Sequence, residues 1–253
     1  MITTEPLPYA FDALEPYISY HQLYVHYHSH YKKYVEKVNK AVEGTALEDV
    51  DLDILMRLAG NELQANALQV WNHQFFWDSM VPDGCDIPQT LSQLAIDSYG
   101  SLEHFKKAFE DLTDEFFGSG WVWLIKTDSG DVKWVTTKDA DNPLDEQTPL
   151  LCCDLWEHSY YLSYESDRKD YLLDWYENLA NWEFALANLD DSQGKVSSLS
   201  KYSSVDNQGY SMARSITHQA AEELRKGQRS QEFFKKLLIS KVRVIMPYHT
   251  TSI

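Results

Sequence analysis

Between residues 19 and 42, Leu23, Tyr27, Tyr34, Val35 and Val38 recur together with His26 and His30 at spacings of three and four. That period predicts an amphipathic helix whose inner face is aromatic and histidine-rich. A second helical stretch is predicted from about 50 to 80, opening in the region of Asp49 and Asp51 and stopped by Pro82-Asp83-Gly84. The two make a helical hairpin. Beyond a break at 81–88, residues 101–117 return to the same period, with Ser101 as candidate cap and Glu103 and His104 in the first turn.

The pattern then changes. "GSGWVWLIKT" and "DVKWVTTK" alternate apolar and polar positions on either side of the turn signal Asp128-Ser129-Gly130, which predicts a β-hairpin, and "TPLLCCD" after Pro143 predicts a third strand. Residues 168–190 are helical again, rich in Trp and Tyr, ending near Asp190-Asp191. Helices, a few antiparallel strands and a closing helix give an α+β class: an N-terminal helical hairpin followed by a domain with a small three-stranded antiparallel sheet flanked by helices. The expected units are a hairpin domain over 1–85, a C-terminal α/β domain over 86–193 and a basic extension over 194–253. The extension opens with a Ser-rich linker and holds a candidate helix from about 212 to 240, interrupted by Gly227.

Composition narrows the class. With 253 residues and 43% hydrophobic content the chain can bury a sizeable core. Its 8 Trp, 16 Tyr and 10 Phe supply large rigid side chains for that core and for a subunit interface. No run of about eighteen apolar residues occurs, so membrane insertion is not expected. The start reads as that of a mature domain rather than a secretory signal. Cys85, Cys152 and Cys153 are an odd set with two adjacent, a poor disulfide framework. That points to a reducing intracellular compartment: the cytoplasm, or a chloroplast or mitochondrion if a transit peptide has been removed. The net charge of −17 is uneven, with 12 Lys/Arg against 35 Asp/Glu over 1–193 and 10 against 4 over 194–253. An acidic body argues against non-specific nucleic-acid binding by that part.

Three clusters carry chemistry. His26 and His30 lie four apart on one helix face, with Tyr34 a turn further on; alone, such a pair reads first as core histidines satisfied by neighbours. In "QVWNHQFFW", Gln69 and His73 share a helix face inside a wall that includes Trp71 and Trp77, and buried polar groups there need partners. In "DLWEHSYY", Asp154 at a strand end and His158 four residues on can converge on one ion. Three imidazoles and one carboxylate leave a fifth position open and suit iron, manganese or zinc.

The motifs "HxxxHxxxYV", "AxQVWNHxFFW", "GSGWVWL" and "LWEHSYYLxY", in this order and at these separations over roughly residues 6–190, resemble the iron/manganese superoxide dismutase family. The resemblance implies an oxidoreductase that converts superoxide to dioxygen and hydrogen peroxide on one metal ion per subunit, held by His26, His73, Asp154 and His158. It implies catalytic roles for His30, Tyr34 and Gln69, and an aromatic shell of Trp71, Trp77, Trp121 and Trp156. It further implies a homodimer in which Glu157 and Tyr161 reach toward the partner's site. Gln69 stands where the iron branch carries its active-site glutamine, and Ala140 fills the manganese-type position, so iron is favoured with manganese possible. Lys32, Lys33 and Arg168 are candidates to draw in the anion against the body's charge.

Ala65-Asn66, Lys169, Tyr27 and His28 depart from the family pattern without touching a ligand, as do Cys152 and Cys153, read as buried strand residues. A non-haem oxygenase would want two histidines and one carboxylate, whereas a third histidine is present here. The remaining alternative is a catalytically silent structural component that keeps the fold, which would be expected to have lost ligands. The extension lies outside the resemblance, and its partner is unknown.

Overall fold

A computed structural model describes residues 1–57, 62–144 and 147–189. The extension over 194–253, with its linker and candidate helix, lies outside the described residues, as does the helix end near Asp190-Asp191.

The first helical stretch forms as the apolar period requires. Helix α1 (Tyr20–Val25) starts at Ser19, whose hydroxyl caps it by accepting from the Gln22 backbone N–H. The backbone continues through a π-helical turn, His26–Tyr31, into α2 (Lys32–Val42). Such turns widen the helix and recur at functional sites; here His26 and His30 project from it with ring centroids 6.1 Å apart. Leu23, Tyr31, Val35, Val38 and Val42 form the buried stripe.

The stretch predicted as one helix from 50 to 80 holds two, α3 (Leu52–Leu55) and α4 (Glu62–Asp78). At the end of α3 the bonding switches from Met56 N–H on Leu52 to Arg57 N–H on Ile54, and this tightening to a three-residue step closes the helix. Helix α4 packs on α2 and on the sheet, and every side chain from Gln69 to Trp77 is buried. A helix enclosed all round belongs to the middle of a protein. After it, the Pro82-Asp83-Gly84 stop uses left-handed backbone at Asp83 (φ 63°) and Gly84 (φ 61°). A Cβ on Gly84 would also lie 2.9 Å from the Asn178 carbonyl oxygen, so glycine is required twice over.

Helix α5 (Gln89–Tyr99) was not expected from the pattern. Only Leu91 and Ala95 on it are fully buried, a stripe too thin to register, although Pro88 at its start and left-handed Gly100 at its end are recognisable punctuation. Helix α6 (Leu102–Glu115) begins at Ser101, whose hydroxyl accepts from the His104 N–H. Strands β1 (Gly120–Lys126), β2 (Val132–Lys138) and β3 (Thr148–Asp154) form the antiparallel sheet in the order β2-β1-β3. Gly120 starts β1 because a Cβ there would sit 2.0 Å from the Thr137 carbonyl oxygen. The register sets Trp121 opposite Asp154 and Trp123 opposite Cys152.

Two short helices, α7 (Tyr161–Tyr164) and α8 (Arg168–Asp174), precede a π turn at Trp175–Leu179 and α9 (Trp182–Leu189). The helix predicted over 168–190 therefore breaks at Ala180-Asn181. The cause is tertiary: Ala180 bridges Met80, Val81 N–H donates to Leu179, and Asn181 N–H donates to Ser79, so the chain leaves the helix to pair with the end of α4. The class is α+β, with α4, the second arm of the helical hairpin, packed between α2 and the sheet.

Candidate metal centre

Each predicted ligand is aimed by its own local structure. His73, in the enclosed middle of α4, holds its Nδ1 2.7 Å from the Gln69 carbonyl one turn earlier. A carbonyl can only accept, so Nδ1 carries the proton and Nε2 presents a lone pair. Asp154 ends β3, and its Oδ1 accepts from the Trp156 backbone N–H at 2.9 Å in an Asx turn that leaves Oδ2 pointing inward. The Ser159 hydroxyl donates to the Asp154 carbonyl at 3.0 Å and tightens the same turn. His26 comes from the π turn, and His158 from a short 3₁₀ turn at Glu157–Ser159.

These four residues converge. Asp154 Oδ2 lies 3.2 Å from His26 Nε2, 3.3 Å from His158 Nε2 and 3.9 Å from His73 Nε2, and one ligand atom from each residue falls within 4.8 Å of all the others. None of the four atoms has a hydrogen-bond partner although each is shielded from water. Close approach without hydrogen bonding costs free energy unless something else sits between the groups. Burial lowers the His26 pKa to about 4 and also holds His73 well below the usual imidazole range. Burial alone would raise the Asp154 carboxyl; the close imidazoles of His158 and His26 outweigh it and hold the group ionised. Three neutral imidazoles and one carboxylate form a donor set of net charge −1, suited to a divalent or trivalent first-row cation.

Around this centre stand rings. Trp77 meets His26 edge-on at 4.9 Å, Trp121 meets His73 edge-on at 5.2 Å, and half-buried Trp156 lies 5.5 Å from His158. Trp71 sits one layer back, stacked on Phe75 at 4.9 Å and on Trp123 at 6.1 Å. The side toward solvent is lined by His30, stacked on His158 at 4.0 Å, and by Tyr34, 5.4 Å from His73. Burial, then His158, lowers the His30 pKa to about 4, while burial raises that of Tyr34. Gln69 is buried with its Oε1 unpaired.

Of the candidate cations, Lys33 is close enough for its charge to act on His30, whereas Lys32 lies over the Tyr27 ring at 5.2 Å. Arg168 braces the end of α6 by donating to the carbonyls of Thr113, Phe116 and Gly118, and it borders a surface groove shared with Glu157. Glu157 and Tyr161 are exposed.

Several contributing residues were not singled out from the sequence. Lys37 places its Nζ 5.9 Å from the Tyr34 ring, at an i+3 spacing that could have drawn attention. Buried Asn72 donates to the Ala140 carbonyl at 3.0 Å and accepts from Asn142, tying the loop after β2 to the helix that carries His73. Its position beside His73 was the one available signal.

Two family models of the iron/manganese superoxide dismutases match in succession, that of the alpha-hairpin domain over residues 2–81 and that of the C-terminal domain over residues 88–188. The chain belongs to this family. It is 42% identical over 184 residues to the superoxide dismutase (Fe) of Coxiella burnetii, covering 72% of this chain and 95% of the relative. It is 41% identical over 189 residues to that of Legionella pneumophila, with 74% and 98% covered. The superoxide dismutase (Fe) of Babesia bovis matches at 42% over 187 residues, with 73% and 94% covered. These three relatives are thus matched along nearly their whole length, and this chain carries residues beyond the match.

Proposed function

We infer that the chain is an iron superoxide dismutase, on the observation that three imidazole nitrogens and one carboxylate oxygen, all buried and none hydrogen-bonded, converge from three separate parts of the fold. Bound iron supplies the redox chemistry, oxidising one superoxide to dioxygen and reducing a second, with two protons, to hydrogen peroxide. His26, His73, Asp154 and His158 hold the ion. Buried Gln69, whose amide oxygen has no hydrogen-bond partner, tunes the stability of the two oxidation states, a role that fits iron rather than manganese. Tyr34 and His30 hold and pass protons at the phenol oxygen and the ring nitrogens, on the half-open side where a small anion can enter. Lys33 and Lys37 offset the charge of the body near that entrance. Trp77, Trp121, Trp156 and, behind them, Trp71 keep the other sides dry.

The active species is a homodimer. Tyr161 and Leu162 are each 52% exposed and Phe117 is 92% exposed, beside the exposed carboxylate of Glu157; this surface suits a second copy. The hairpin over 1–85 and the α/β unit over 86–193 are the two domains, with the metal ligands drawn from both. Among the described residues no helix is long and apolar enough to cross a membrane. Free Cys85, Cys152 and Cys153 support a reducing compartment.

The test is superoxide disproportionation by the purified chain, loaded separately with iron and with manganese. Turnover with iron is expected. Activity with manganese alone would overturn the metal assignment, and none with either despite full loading would favour the silent structural alternative. Sedimentation of the active form would give its subunit number.

A further inference from the structure

The main chain and the side chain of Gln22 hold two different ligands. Its backbone carbonyl accepts from the His26 N–H within the helix, while its side-chain Nε2 donates to the His158 carbonyl at 2.6 Å. Its Oε1 accepts from the Leu162 N–H at 2.9 Å. The amide orientation follows from chemistry alone, because a carbonyl must accept and a backbone N–H must donate. The side chain has no exposed surface, so each of these bonds replaces one to water, and losing either would leave a buried polar group unpaired.

Nothing else on α1 bridges these elements in this way. Ser19 is bonded to Ser163 through its N–H at 3.2 Å and its hydroxyl at 3.1 Å, but both residues are exposed and the contact lies beyond the ligands. Gln22 links the backbones of His26 and His158, whose rings are 4.7 Å apart. The 3₁₀ turn carrying His158 is short and has no side-chain cap of its own, so the carbonyl bond from Gln22 is an outside constraint on where that turn sits.

We propose that Gln22 is a positioning residue that sets the spacing of His158 to His26, and thereby the affinity and electronic environment of iron. This rests on the iron reading of the four-residue centre. Partners that orient metal ligands commonly change metal affinity by roughly 10- to 100-fold when removed. Gln22→Met keeps the length and apolar stem but makes neither bond. Gln22→Glu can still accept from Leu162 but turns an oxygen toward the His158 carbonyl and repels it.

The experiment compares the full chain with Gln22→Met, Gln22→Glu and, as a control, Ser163→Ala, which spares both Gln22 bonds. Iron affinity is read by chelator competition, the ferric site by electron paramagnetic resonance, and the fold by thermal unfolding of the metal-free proteins. Expected are iron affinities at least about tenfold weaker in both Gln22 variants with an altered ferric spectrum, and neither change in Ser163→Ala. Unchanged affinity and spectrum in the Gln22 variants would overturn the proposal, as would the same changes in Ser163→Ala. If Gln22→Met does not fold, Gln22→Asn, too short to span both partners, decides by the same readings. Failure of the unsubstituted chain to bind iron would instead sink the reading of the centre, and the inference with it.

Discussion

On one side of the centre, His73 and Asp154 are sealed behind Trp77, Trp121 and Phe76; on the other, His158 keeps 13% of its side chain exposed and stacks on half-buried His30. The contrast runs through a single helical turn. Tyr31 and Tyr34 stand three residues apart, yet Tyr31 has no exposure while Tyr34 opens toward solvent. The Tyr31 hydroxyl accepts from Gln74 Nε2 at 3.0 Å and from the Glu5 N–H at 2.9 Å, so it is fastened into the structure. Tyr34 instead faces His73 with a lysine nearby. A redox metal needs both kinds of neighbour: a closed wall that fixes the ligands and keeps their charges strongly coupled, and an opening through which a small anion and protons pass.

The largest effect should come from the sealed side. Asp154 supplies the one negative charge among the four ligands, and replacing it with alanine leaves three imidazoles facing a void. Asp154→Ala should bind little iron and lose at least roughly a thousandfold in superoxide turnover, since chemistry carried by a metal fails without it. Metal analysis alongside activity checks this; full iron content in that variant would mean that the ligand set has been misread.

A second test separates the two tyrosines by pH. Burial, only partly offset by its two hydrogen-bond donors, pushes the Tyr31 pKa from 10 up to about 12. The folded chain therefore keeps that proton where the unfolded chain releases it. The stability this contributes is fully present below pH 10 and is lost as the pH rises toward 12. The loss is on the order of 2 to 3 kcal/mol, two pH intervals at 1.36 kcal/mol each. Denaturant unfolding of the chain and of Tyr31→Phe between pH 9 and 12 measures it. The substitution should flatten part of the alkaline decline, and identical slopes would contradict the sealed environment assigned to Tyr31.

The same contrast explains what was legible in the sequence. The first helix, the Ser101 cap and the β-hairpin follow from local spacing and turn chemistry, so they could be read directly. The break at Ala180 could not, because it depends on pairing with Met80 and Ser79 about a hundred residues away. Helix α5 was hidden for another reason: with two fully buried residues it lacks an apolar stripe. At the centre, the His26–His30 pair had an ordinary core reading of its own, and four motifs in order were needed to join it to His73 and to the Asp154–His158 pair. Gln22 escaped because its role lies in what its amide spans in space, which no spacing records.

The smallest effect belongs to the open side. Replacing Tyr34 with phenylalanine removes one hydroxyl while keeping the ring beside His73, so the iron site should stay intact and only proton handling should suffer. Solvent reaches this side and can deliver protons in place of the phenol, which limits the cost to about tenfold in turnover, or about 1.4 kcal/mol in the barrier. Burial, with a contribution from Asp154, raises the Tyr34 pKa, so the phenol keeps its proton above pH 10 and any rate that depends on it falls only beyond that. That alkaline limb should vanish in Tyr34→Phe while iron content remains at the level of the parent chain. If the variant instead loses iron, Tyr34 belongs to the wall that holds the metal, and the division between a sealed side and an open one has been drawn in the wrong place.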